Sequence, residues 1–326
     1  MNRKLFYLMA LIVVLGLLLA AYRGGSARPM SSPVRTAVPS GPRESSSFST
    51  LLVYSSVERL LAGDLLHTVT IDEVQTHLAG YPADWSVVGV GTTDWIGRNG
   101  EMMPDGIAGD LQFWWADPSS PSQANVIDLV GYEPPAQFPF LGLAVGDPTT
   151  AITLTLHDVP DVHAWLEGKV ETSGIDLAGV QLRGQFGPVK TTVAYNIPLT
   201  GLDLSGGYVG EDHFRFGEYI TATWTMNGLY AADSTLQSVI STPGHPLHLH
   251  GYQPETMLGG HVGSASAISV TATVWPLSQV ITRSGEADLT AFYADAFRRA
   301  GQAHGVRALG VTLSLLEVQA TEDSHR

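Results

Sequence analysis

The chain has 326 residues, 44% of them apolar and 15% charged, with 35 glycines and 19 prolines, a balance that suits a β-rich protein with many turns better than a helical bundle. A net charge of −14 argues against nucleic acid or anionic lipid as partners of the globular part. The absence of cysteine excludes a disulfide framework, an iron–sulfur cluster, a thiolate zinc site and a lipid-modified cysteine.

Arg3 and Lys4 precede an unbroken apolar run over residues 5–22. Small-residue sites follow at Leu19-Ala20-Ala21 and at Gly25-Ser26-Ala27, so residues 1–27 are expected to be a signal peptide or an N-terminal membrane anchor. The run is at the lower limit for crossing a bilayer, and cleavage and anchoring both stay open. Either way the protein is expected outside the cytoplasm, secreted, periplasmic or held at the membrane. Residues 28–47 are rich in Ser, Pro and Arg and suggest a disordered linker. The folded part is then expected over residues 48–320, with an N-terminal half of about 48–175 and a C-terminal half of about 176–320.

Residues 57–63 form a short helical pattern stopped by Gly63. Thr70 followed three residues later by Glu73 is a capping-box pattern for a second helix. Residues 85–90 suggest a strand, Asn99-Gly100 a hairpin turn, and residues 109–115 the return strand. Further strands are expected over 138–145 and 151–157, and a helix over 159–170 with Trp165 and Leu166 buried. Residues 180–194 alternate like long β-structure around a Gly187-Pro188 bend. Residues 202–216 suggest a polar connection and 219–226 a strand, which leads through residues 236–242 to a histidine-rich stretch. After it come a strand over 265–275, an amphipathic helix over 288–303 and a last strand over 306–318. About ten strands and three or four short helices make a β-dominated mixed α/β fold.

The histidine-rich stretch, residues 244–262, organises the rest. In a strand, His248 and His250 point to one face and Leu249 to the other. Gly251, Pro254 and Gly259-Gly260 are turn signals that can bring His261 back beside them. Three imidazoles on one sheet face make a zinc site with a fourth position open to water or substrate. An isolated H-x-H also occurs on exposed strands, so the third histidine carries the reading.

This stretch resembles the zinc-binding segment of the acetolactate decarboxylase family: H-x-H, ten residues, then H inside G-G-H-V. The resemblance implies His248, His250 and His261 as Zn²⁺ ligands. His245 has no counterpart in it and suggests a surface residue. Residues 87–106 resemble the family's G-x-G-T strand followed by G-E and D-G, with a longer loop between G-T and G-E, which implies Glu101 at the metal site. From its residue type alone, Glu101 would be a solvated hairpin carboxylate. The segment F-x-x-V-K-T, ending at Thr191, resembles a third family segment, which there continues with a substrate-facing arginine; here the residue is Thr192, and Arg183 lies nine positions earlier. Glu317 lies where the family has a second carboxylate near its C-terminus.

The implied fold is a β-rich mixed α/β protein of two sheet-containing halves, with the zinc site on the C-terminal half. The implied activity is decarboxylation of 2-acetolactate to acetoin and carbon dioxide, with Glu101 moving a proton and the small-molecule substrate as partner. Two alternatives stand beside it. One is another zinc-dependent lyase, isomerase or hydrolase acting on a different small hydroxy-keto compound. The other is a non-catalytic zinc-binding module. Assembly as a homodimer is also left open.

Overall fold

A computed structural model describes residues 48–61, 63, 69–117, 124–194, 214–242 and 244–282. Residues 1–47 lie outside it, as do the helix and strand expected over 288–303 and 306–318, and with them Glu317. Among the described residues no helix is long and apolar enough to cross a membrane.

The strands are β1 (Thr50–Tyr54), β2 (Val69–Thr70), β3 (Ser86–Trp95), β4 (Arg98–Ile107), β5 (Asp110–Asp117), β6 (Asn125–Asp128), β7 (Gln137–Gly146), β8 (Ile152–Val159), β9 (Leu177–Ala194), β10 (Phe214–Tyr219), β11 (Ala222–Ala231), β12 (Leu247–Gln253), β13 (Leu258–Pro276) and β14 (Gln279–Thr282). Among the described residues four α-helices accompany them: α1 (Val57–Leu61), α2 (Ile71–Leu78), α3 (Val162–Thr172) and α4 (Ser234–Ile240). All strands belong to one hydrogen-bonded sheet, whose main path runs β10-β9-β11-β12-β13-β6-β5-β4-β3-β7-β1-β14. A further β9–β13 pairing closes β9, β11, β12 and β13 on one another. The pairs are antiparallel except β1 with β14, which run parallel.

Alternation places two apolar sets on the N-terminal strands. Leu51 and Val53, Val88 and Val90, and Phe140 and Ala144 face Leu229, Val239 and Ile240 of the C-terminal elements in a shared core. Leu52 and Tyr54, Val87, and Leu141 and Leu143 face away, into a core covered by α2. The capping box at Thr70 and Glu73 is present and starts that helix. A third core lies under α3, where Val162, Leu166 and Val170 meet Val180, Leu182 and Leu249. Two glycines let the facing layers touch. A Cβ on Gly179 would stand 2.3 Å from the Ala144 Cβ, and one on Gly142 would stand 2.6 Å from Leu229 Cδ1.

Several local expectations are corrected. The first hairpin turns at Ile96 and Gly97, both with positive φ, while Asn99 and Gly100 sit inside β4. Gly259 and Gly260 likewise lie in β13, and the chain reverses at residues 254–257, where Met257 takes φ 51. Both glycines are needed for close approach. A Cβ on Gly259 would meet the Gly251 carbonyl at 2.3 Å, and one on Gly260 the Thr192 carbonyl at 2.6 Å. The Gly187-Pro188 bend does not break β9 and appears instead as shifts in the β9–β13 register, since proline has no N–H to give the ladder. The strand expected over 219–226 is two, β10 and β11, paired in line along one edge of β9. Residues 234–240 are helix α4, capped by the Asp233 carboxylate, which accepts from the N–H groups of Thr235 and Leu236.

The Gly179–Ala144 contact generates a test of the layer packing. Gly179→Ala should lower stability by about 1–3 kcal/mol, as added methyls in a packed core do. In urea the midpoint should fall with the slope unchanged. Adding Ala144→Gly should recover most of the loss.

Candidate metal centre

His248 and His250 lie on β12, with Leu247 and Leu249 buried on its other face. On β13, His261 is the register partner of His250. The three rings gather with centroids 4.8 to 5.5 Å apart, and their ligand nitrogens lie within 4.8 Å of one another. His245 is exposed and stands apart from the group.

Hydrogen bonds set the tautomers. His248 Nδ1 lies 2.5 Å from the Ile240 carbonyl oxygen at the end of α4, and His250 Nδ1 lies 2.6 Å from the Met102 carbonyl oxygen on β4. A carbonyl only accepts, so each Nδ1 carries the proton and donates it. Burial holds both rings neutral: His248 is pushed down to about 4, and His250 well below the usual range with the neighbouring His248 adding to the effect. Burial lowers His261 in the same way. A neutral ring protonated at Nδ1 has a bare Nε2, yet the two Nε2 atoms stand only 3.0 Å apart. Two lone pairs facing each other in a buried site repel, and an unmet buried acceptor costs about 1–3 kcal/mol. A cation between them removes both costs. Histidine nitrogens sharing one tetrahedral ion at about 2.0–2.1 Å stand about 3.3 Å from each other, close to the observed spacing. The donor set therefore fits a bound metal ion, with the two backbone carbonyls orienting the ligands from behind.

Glu101 joins the group from the other layer. It is the cross-strand partner of Thr92, so the G-T and G-E signatures face each other across the hairpin. It is only 8% exposed, which overturns the solvated-carboxylate alternative. Its Oε2 lies 3.3 Å from His250 Nε2, and its Oε1 accepts from the Ala194 N–H at 3.1 Å. Burial pushes the carboxyl up to about 7, against the opposing effect of that N–H.

Thr192 is buried, and among the described residues its hydroxyl has no hydrogen-bond partner. On the adjacent strand the backbone of Arg215 pairs with that of Val193. Arg183 reaches the other layer and meets Asp105 Oδ2 at 3.5 Å. Asp105 was not singled out from the sequence. It is two strand repeats from Glu101 on the same face of β4, accepts from Trp114 Nε1 at 2.9 Å, and is held above the usual carboxylate range by burial. Tyr252, two residues after His250, packs its ring 5.2 Å from that of Trp114. Burial, with Asp105 adding to it, pushes its hydroxyl up to about 12. Period-2 spacing would have found Asp105 and Tyr252 once β4 and β12 were recognised as strands.

By sequence, no family model matches the chain and no curated protein matches it. By structure, the chain shares the β-rich mixed fold of acetolactate decarboxylase. The enzyme from Bacillus subtilis strain 168 superposes with a TM-score of 0.53 at 16% identity, covering 78% of this chain and 99% of that one. The enzyme from Bacillus subtilis subspecies spizizenii gives 0.52 at 17% identity, covering 76% and 99%. A Staphylococcus aureus protein of unknown function, described as similar to alpha-acetolactate decarboxylase, gives 0.51 at 13% identity with coverage of 76% and 99%. At these identities the likeness is one of fold.

The purified protein should carry about one divalent metal ion per chain, as a three-ligand site requires. Elemental analysis should show that ion lost in His248→Ala and His261→Ala and kept in His245→Ala. Equal metal content in all four proteins would remove the histidines from the site.

Proposed function

We propose that the protein is a zinc-dependent carboxy-lyase that converts 2-acetolactate to acetoin and carbon dioxide outside the cytoplasm. One observation carries this reading: a carboxylate from one layer stands 3.3 Å from the bare nitrogen of a histidine in a three-histidine cluster on the other. The acetolactate decarboxylase fold supports it.

The substrate carries a hydroxyl and a ketone on adjacent carbons. A zinc ion held by His248, His250 and His261 would supply Lewis acidity at those oxygens. The chain's own residues do the rest. Loss of carbon dioxide breaks a carbon–carbon bond, and the electron pair left behind spreads onto the neighbouring ketone oxygen. A proton must then reach carbon. Glu101 is placed to carry it, fixed by the Ala194 N–H and enclosed between the layers away from bulk water.

Thr192 supports the second reading, a lyase or isomerase for an uncharged hydroxy-keto compound. Its buried hydroxyl offers a neutral contact where a substrate carboxylate would be served by an arginine. A charge-assisted contact of that kind is worth about 1.5–3 kcal/mol, or roughly ten- to a hundredfold in rate.

Zinc-loaded protein incubated with 2-acetolactate should release acetoin, and Glu101→Gln should abolish release with zinc still bound. Thr192→Arg should raise kcat/KM by about tenfold, the low end of that contact. Wild type and Thr192→Arg both inactive at full zinc occupancy would overturn decarboxylation and leave the second reading. A reporter fused to residues 1–47 should appear outside the cytoplasm; reporter recovered in the soluble cytoplasm would overturn export.

A further inference from the structure

Phe216 on β10 pairs directly with Thr192 on β9, and opposed residues in an antiparallel pair share a face. Two residues along the same face, Phe214 pairs with Ala194 and is buried in the core that the two layers share. The face that carries Phe216 is therefore the one turned toward the N-terminal layer, where the Ala194 N–H holds Glu101. On the other edge of β9, Val262 of β13 pairs with Thr191. One step along both strands sets His261 level with Thr192 on the opposite face to that pair. His261 is in turn the partner of His250 on β12. His250, His261, Thr192 and Phe216 thus form one row across β12, β13, β9 and β10.

The row runs from closed to open. His250 is 1% exposed, His261 is half-buried, and Phe216 is 45% exposed. A single exposed phenylalanine needs no explanation on its own. Its place in this row is what points to a ligand, because a metal ligand and an uncovered phenyl ring lie on one face with only the small Thr192 side chain between them. The next pair outward, Lys190 and Glu218, is spent on itself, with Nζ 2.9 Å from Oε1. The row offers a ligand an apolar surface, bounded on its outer side by a pair with no net charge. Neighbouring strands stand about 4.7–4.9 Å apart, so β10 is two strand widths from β13. A methyl group on a ligand held at the histidines falls short of the ring. A longer alkyl arm laid over Thr192 reaches it.

We propose that Phe216 is a specificity-determining residue of the metal centre, its ring covering an apolar arm larger than methyl on the hydroxy-keto ligand. The inference rests on the reading of the histidines as a metal centre for a hydroxy-keto compound, but not on decarboxylation. Burying the arm removes apolar surface of both ring and ligand from water, which favours binding in proportion to the area covered.

The test uses the full-length protein with cobalt(II) in place of the native ion, because its visible absorption follows the ligands around it. Two neutral α-hydroxyketones are titrated: acetoin, with methyl arms, and butyroin, the same unit with propyl arms. Wild type should bind butyroin about tenfold more tightly, as expected for covering the two added methylenes of one arm. Phe216→Ala should erase that preference while leaving the acetoin Kd, the cobalt content and the ligand-free spectrum close to wild type. Phe216→Leu, which restores an apolar side chain, should recover most of the preference. Phe216→Thr, which keeps a strand-forming residue, carries the test if Phe216→Ala fails to fold. Wild type that binds butyroin no more tightly than acetoin, or an unchanged ratio in Phe216→Ala, would overturn the proposal. A spectrum that answers to neither compound would overturn the hydroxy-keto reading and the proposal with it, and protein that takes up no cobalt would overturn the metal centre itself. A butyroin preference that disappears with the ring, in protein that leaves 2-acetolactate intact, would support this inference and defeat only the decarboxylation.

Discussion

The bond from the His250 ring to the Met102 carbonyl is the interaction on which the centre depends. His250 belongs to β12 and Met102 to β4, so this hydrogen bond joins the two layers at the place where the chemistry is proposed. It fixes which nitrogen carries the proton, and thereby which nitrogen is free for a metal. That bond forms only if the layers dock in register, which the bare backbone at Gly142 and Gly179 permits. The helix α4 contributes the second anchor through its last carbonyl, at Ile240. Ligand orientation is thus set by backbone groups, whose positions follow from the sheet itself.

Much of the centre was legible in the residues. The alternation of His248 and His250 with Leu247 and Leu249 fixes their face, and the reversal at residues 254–257 brings His261 opposite His250. The G-T and G-E signatures turned out to be direct partners across a hairpin. Where local patterns misled, tertiary contact was the reason. Asn99-Gly100 has the composition of a turn, but Gly100 is required inside β4 because Trp115 packs over it, leaving the turn to Ile96 and Gly97. Gly259 and Gly260 similarly clear neighbouring carbonyls and do not reverse the chain. Helix α4 was hidden because seven residues carry too little periodicity to announce a helix, although Asp233 is a strong cap. The bond that Gln181 Nε2 on β9 donates to Asn227 Oδ1 on β11 could not have been found from local pattern, since it joins residues 46 apart in the chain.

The polar groups around the centre share one physical character. Glu101, Asp105 and His250 are all buried, and each has at least one fixed partner from a different element. Removing water strengthens each contact and makes each unpaired group expensive. A site of this kind is rigid before any ligand arrives, and a ligand has few ways to lie in it. Thr192 fits that pattern, offering a small neutral side chain where a long charged one would have to be held in place.

The parallel pairing of β1 with β14 has a mechanical consequence. Thr50 pairs with Gln279 and Val53 with Thr282, so the start of β1 and the end of β14 lie at opposite ends of this two-strand ribbon. Tension applied between the two ends would pull the strands past each other along their length. The load would then be shared by all of their hydrogen bonds at once, instead of opening them one after another. A ribbon loaded between Thr50 and Thr282 would resist in shear, the stronger of the two modes.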